Sequence, residues 1–97
     1  MLVVGENINA SNKKVGQAIA DKNRDSIADL ARKQSEAGAD FIDVNAGTAP
    51  GSWESPEAAM EWLIEVVRSV TDKPLTIDSD MPSVIGAGLR KYPGDTV

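Results

Sequence analysis

The chain has 97 residues, with 10 Lys and Arg against 15 Asp and Glu, a formal net charge of −5. That length is one small domain or part of a larger one, and the acidic balance is a poor match for a phosphate backbone, so general nucleic-acid binding is not expected. Cys and His are both absent, which excludes disulfides, thiolate zinc sites, a Cys nucleophile, a Ser-His-Asp triad and an imidazole base; any metal would need oxygen ligands.

Hydrophobic residues make up 41% and charged residues 26%, the balance of an ordinary globular chain rather than a disordered one. No apolar run is long enough to span a membrane. The start, Met1 to Glu6, lacks the basic segment and apolar core of a signal peptide, so a reduced, cytoplasmic setting is the expectation.

Leu2-Val3-Val4-Gly5 is a short β-branched run that reads as a buried strand ending in Glu6-Asn7-Ile8-Asn9. Ser11 to Lys14 is turn-like. Val15, Ala18 and Ile19 then share one face of a short helix ending near Asp21. Asn23 to Gly38 reads as a second helix, with Ile27, Leu30, Ala31 and Gln34 as its inner stripe, extended by Ala37. Asn23 or Asp25 caps its start, and Gly38 stands where a left-handed residue ends a helix. Phe41-Ile42-Asp43-Val44-Asn45 follows as a strand, and Gly47 to Ser52 is a loop.

Ser55-Pro56-Glu57 is a strong helix start: a capping hydroxyl, a Pro where no N–H is needed, and an acid at the positive end of the dipole. Met60, Leu63, Ile64, Val67 and Val70 make its inner stripe, and Thr71 to Pro74 ends it. Leu75-Thr76-Ile77-Asp78-Ser79 is a third strand. Met81 to Lys91 is a weaker helix with Val84, Ile85 and Leu89 inward and two glycines, Gly86 and Gly88, against it. Tyr92 to Asp95 is a turn, and Thr96-Val97 opens another strand.

Strands alternating with helices imply parallel pairing with right-handed crossovers. Helices on such crossovers cover one face of a sheet whose strands need cover on both. A doubly wound sheet solves this, as does a barrel whose inner face fills itself. A barrel takes about 250 residues, and the stop at an expected strand start favours residues 1–97 as its N-terminal portion: α/β, about three βα units of a (β/α)8 TIM barrel with parallel strands, interrupted at the fourth strand. A complete small α/β domain is the alternative. An isolated piece of this kind has a bare sheet face and a free edge, and is expected to self-associate.

In either architecture, function sits at the C-terminal ends of the strands. Those ends are polar here: Glu6, Asn7 and Asn9; Asp43, Asn45 and Gly47; Asp78, Ser79 and Asp80. Alternation puts Asp43 and Asn45 on one face of their strand, and Thr76 and Asp78 on one face of theirs. Convergent carboxylates and carboxamides suit a hydrogen-bond-rich heterocycle. Each of these residues is also a common turn former or cap; Asp80 reads as a cap for the helix that follows, Glu6 as a holder of loop N–H groups, and Asp40 as part of a solvated link. No GxGxxG or P-loop is present, so a nucleotide cradle is not expected. Asp43, Asp78 and Asp80 offer oxygen for Mg²⁺, but their spacing is not diagnostic and no metal is expected. Trp62 reads as a packing residue. Trp53 lines a pocket or interface, or makes a plain surface contact.

Met1-Leu2-Val3-Val4-Gly5-Glu6-Asn7-Ile8-Asn9, the run QSEAGADFIDVNAG from Gln34 to Gly47, Met60 to Leu63, and Pro74 to Ser79 resemble the pterin-binding methyltransferases over essentially the whole chain. The nearest form is the methyltetrahydrofolate:corrinoid protein methyltransferases, related to the folate-binding part of cobalamin-dependent methionine synthase. Dihydropteroate synthase shares the fold, but its Asn-x-Thr-Pro-Asp-Ser-Phe opening and Gly-Gly-Glu-Ser-Thr segment are absent; Asn45-Ala46-Gly47-Thr48 stands at the latter.

The resemblance implies a (β/α)8 barrel with a pterin at its C-terminal mouth. It makes Asp78 the aspartate that hydrogen-bonds the pterin and Asn45 part of the same lining, with Asp43, Asn9 and Ser79 as further pterin-binding candidates. The implied reaction moves a methyl group between N5 of methyltetrahydrofolate and the cobalt of a cobalamin-type corrinoid carried by a partner protein, in either direction, by a homodimer of the full barrel. Dihydropteroate synthesis and a non-enzymatic binding domain are the alternatives.

Overall fold

The computed structural model describes residues 4–5, 8, 13–47, 51, 53–79 and 81–91. Its elements run β1 (Val4–Gly5), α1 (Lys13–Ala20), α2 (Arg24–Glu36), β2 (Phe41–Val44), α3 (Pro56–Arg68), β3 (Leu75–Ile77) and α4 (Pro82–Lys91). The three strands form one sheet in the order β1-β2-β3. Both pairings are parallel, with Val4 beside Phe41 and Ile42 beside Leu75. Chain order and sheet order therefore coincide, as in a sheet wound in one direction.

Local chemistry sets the helix ends. Asn23 Oδ1 accepts from the Ser26 N–H at 3.2 Å and caps α2. Ser55 Oγ accepts from the Ala58 N–H at 3.1 Å, and Pro56 takes the first position of α3. Both α1 and α2 end in the same motif. The Asn23 N–H donates to Ala18 O and the Lys22 N–H to Ile19 O after α1; the Ala39 N–H donates to Gln34 O and the Gly38 N–H to Ser35 O after α2. The left-handed residue is Gly38 in one case (φ +93°) and Lys22 in the other (φ +53°). Nothing in the sequence marked Lys22 for that conformation.

The core lies on one side of the sheet. Ile42, Val44 and Leu75 are fully buried, and they join Ile27 and Ala31 of α2, Leu63, Ile64 and Val67 of α3 and Val84 of α4 in one cluster, with Ile77 packed against it. Each fully buried Val, Leu or Ile side chain contributes about 1.5–3 kcal/mol by leaving water. The strand residues in this cluster alternate along each strand, and the register pairs Ile42 with Leu75 and Val44 with Ile77, so α2, α3 and α4 cover the same face.

Two details of the expected packing need correction. Ala37 is exposed, because α2 ends one residue earlier and Ala37 serves as its C-cap. Leu30 and Val70, both partly buried, pack against the core cluster as expected, although Val70 lies beyond α3, which is capped by Ser69. Leu89 is 43% exposed. Val84 is buried as expected, and the further buried positions of α4 are Ala87 and Gly88. A Cβ on Gly88 would lie 3.0 Å from Ile77 Cδ1 and Cγ2 and 3.1 Å from Ile64 Cδ1. The glycine that weakens α4 as an isolated helix is what lets α4 press against β3 and α3. The expected turn at 92–95 and the strand opening at Thr96-Val97 lie outside the described residues.

Candidate functional site

The register across β2 and β3 brings the polar residues together. Asp43 stands beside Thr76, and Val44 beside Ile77. Neighbours in register point to the same face of a sheet, and the face alternates along each strand. Ile42, Val44, Leu75 and Ile77 occupy the helix-covered face, so Asp43, Asn45, Thr76 and Asp78 share the other. The sequence pattern grouped these residues in two pairs, and the register merges the pairs into one patch.

The ladder continues past the ends of the strands. The Asp78 N–H donates to Val44 O at 3.0 Å, which ties the backbone of Asp78 to the end of β2. The Asn45 N–H donates to Ile8 O at 3.1 Å, so Ile8 lies beside Asn45. Asn45 and Asp78 thus lie at the C-terminal edge of the sheet, where parallel α/β folds place their ligands.

The side chains differ in what they offer. Asp78 is exposed; no second charged group is needed to explain its position, and its carboxylate is free of the packed core. Asn45 Oδ1 accepts from the Gly47 N–H at 2.8 Å. That bond fixes the amide so that its NH₂ donors point away from the Gly47 turn. Ser79 Oγ accepts from the Met81 N–H at 3.0 Å and supports the start of α4; its own O–H is left to donate elsewhere. Asp43 is half-buried in the middle of the face. Asn9, Glu6, Asn7 and Asp80 lie outside the described residues. Among the described residues, no three acidic side chains gather as a metal site would require.

Thr76 escaped the sequence reading as a site residue. Its Oγ1 is buried and has no hydrogen-bond partner among the described residues. The signal was available in part, since Thr76 lies two residues before Asp78 on the same face, but its place beside Asp43 depends on the register. Trp53 proves to be a clamp on the loop after β2. Its Nε1–H donates to Ile19 O at 2.8 Å, its ring lies 5.3 Å from that of Trp62, and the Lys22 ammonium sits 4.6 Å above it. Trp53 is thereby fastened to the end of α1.

The model of the pterin binding enzyme family matches residues 5–97. The chain belongs to that family. Within the pterin binding enzymes, it is similar to a methylcorrinoid:tetrahydrofolate methyltransferase of Eubacterium limosum, 40% identical over 96 residues. That match covers 97% of this chain and 34% of the relative, so the chain spans about a third of the relative's length. In a pterin binding enzyme, a patch that combines an exposed carboxylate with an oriented carboxamide has the right chemistry for a pterin edge. The carboxylate is acceptor-only and takes ring and exocyclic N–H groups; the amide NH₂ serves ring acceptors. No helix among the described residues is long and apolar enough to cross a membrane.

Proposed function

We propose that these βα units carry one side of a pterin site, in an enzyme that transfers a methyl group between a corrinoid protein and N5 of tetrahydrofolate. The observation that carries the reading is the register that sets Asp78 and Asn45 side by side at the C-terminal edge of a parallel sheet. Asp78 binds and orients the pterin by accepting its N–H groups. Asn45, with its oxygen held by Gly47, donates to the ring. Asp43 and Ser79 complete the polar surface, with Asn9 as a further candidate. Methyl exchange at N5 needs that nitrogen held in line with the incoming or departing carbon, and it needs its charge managed by hydrogen bonds. Neutral amides, carboxylates and bound water suit that task without an imidazole.

The corrinoid, when its carrier protein docks, supplies the cobalt that gives or takes the methyl group. The name of the Eubacterium limosum relative supports methylcorrinoid as donor and tetrahydrofolate as acceptor. A closed (β/α)8 barrel, a homodimer and a cytoplasmic setting belong to the same proposal and rest on the family resemblance.

The test is a turnover assay with the full-length polypeptide, a methylated corrinoid protein and tetrahydrofolate, following the corrinoid spectrum and the methylated folate. Stoichiometric demethylation with formation of methyltetrahydrofolate supports the proposal. Condensation of a pterin pyrophosphate with p-aminobenzoate instead would replace it with pteroate synthesis, and no pterin binding at all would replace it with a non-enzymatic role.

A further inference from the structure

Asp43 lies one rung deeper in the sheet than Asn45 and Asp78, and beside it lies a hydroxyl with no partner. Thr76 Oγ1 is closed off from solvent and makes no hydrogen bond with the described residues. A buried hydroxyl without a partner is unfavourable, and most buried polar groups avoid it. Bulk water does not reach this one. Its register partner is Asp43, since the two residues stand opposite each other on adjacent strands, which run about 4.8 Å apart. A Thr O–H is a rotor with one donor, and a carboxylate is an acceptor with room for several bonds.

We infer that Thr76 is a positioning residue of the pterin site, acting through Asp43. This rests on the pterin-site reading above. Ligand at the mouth draws the Asp43 carboxylate into one orientation, and the Thr76 O–H then donates to it from below. The bond is absent in the free chain and forms on binding, so the hydroxyl strengthens the complex and not the empty protein. Of the other buried polar groups without a partner, the Gln34 amide belongs to the helix layer and not to this face.

Thr76→Val keeps the shape and removes the hydroxyl; Thr76→Ser keeps the hydroxyl. Tetrahydrofolate is titrated into the full-length wild type and both variants, and ligand-free melting curves are recorded alongside. The expected result is about tenfold weaker binding for Thr76→Val, with a ligand-free melting temperature equal to or above wild type, and near-wild-type affinity for Thr76→Ser. In an Asp43→Ala background, Thr76→Val should cost no further affinity. Unchanged affinity in Thr76→Val overturns the inference. So does a lowered ligand-free melting temperature, which would mean that the hydroxyl is already bonded in the empty site. An equal loss with and without Asp43 would disconnect the two residues. A wild type that binds no pterin would instead remove the pterin-site reading, and this inference with it. If Asp43→Ala does not fold, the contrast between Val and Ser at position 76 still decides.

Discussion

Replacing Asp78 by Ala removes a carboxylate from the C-terminal edge of β3 while leaving the backbone bond from its N–H to Val44 O, 3.0 Å long, in place. The side chain is exposed and outside the core cluster, so unfolding free energy should change by no more than about 0.5 kcal/mol. Binding is another matter. Hydrogen bonds to charged groups contribute about 1.5–3 kcal/mol. Water competes for an exposed carboxylate, which places Asp78 in the lower part of that range. A loss of about 1.5–2 kcal/mol corresponds to roughly 10- to 30-fold weaker binding, at about 1.4 kcal/mol per decade. Asp78→Asn, which keeps one acceptor oxygen, should lose less. Titration of methyltetrahydrofolate into the full-length protein and both variants, with denaturation curves alongside, measures both quantities. An unchanged affinity in Asp78→Ala would remove Asp78 from the site. A collapse in stability would make it a structural residue and refute the assignment of its side chain to the mouth.

The other predictions concern packing. Gly88→Ala gains up to about 1 kcal/mol of helix propensity but drives a methyl to 3.0 Å from Ile77 and 3.1 Å from Ile64; overpacking at about 1–3 kcal/mol should prevail, and a higher denaturation midpoint would contradict the close approach of α4. Gly51→Ala should be worse, because the new Cβ meets the Ala20 backbone oxygen at 2.7 Å at a φ of +86°; urea denaturation should show a loss of more than about 1 kcal/mol. Residues 1–97 expressed alone should self-associate through the sheet face opposite the helices and the edge of β3, and sedimentation as a cooperatively melting monomer would count against that.

Much of the architecture was written locally. The Ser55-Pro56 start of α3, the Asn23 cap and Gly38 ending of α2, and the β-branched run at Phe41–Val44 each depend on a few neighbouring residues. They were legible in the sequence because capping and φ preference act within one turn. Periodicity exposed the buried stripe of α3 in the same way, and the alternation of elements was enough to expect parallel strands in chain order. The polar strand ends, Asp43, Asn45, Asp78 and Ser79, were visible as a cluster in composition but not in space.

Tertiary structure decided the rest. Helical periodicity put Leu89 inward, but a stripe does not say how closely a neighbouring helix sits; the approach of α4 to Ile77 and Ile64 turned Gly88 to the contact and left Leu89 outside. The role of Trp53 followed from a bond across 34 positions of sequence to Ile19, which no local pattern contains. Above all, the sequence by itself determined which residues alternate along each strand, whereas the pairing of Asp43 with Thr76 came from the register between strands. Alternation is a property of one backbone, and register is settled only when Ile42 and Leu75 bury together against the helices. That shared burial turns two pairs of polar residues into a single face.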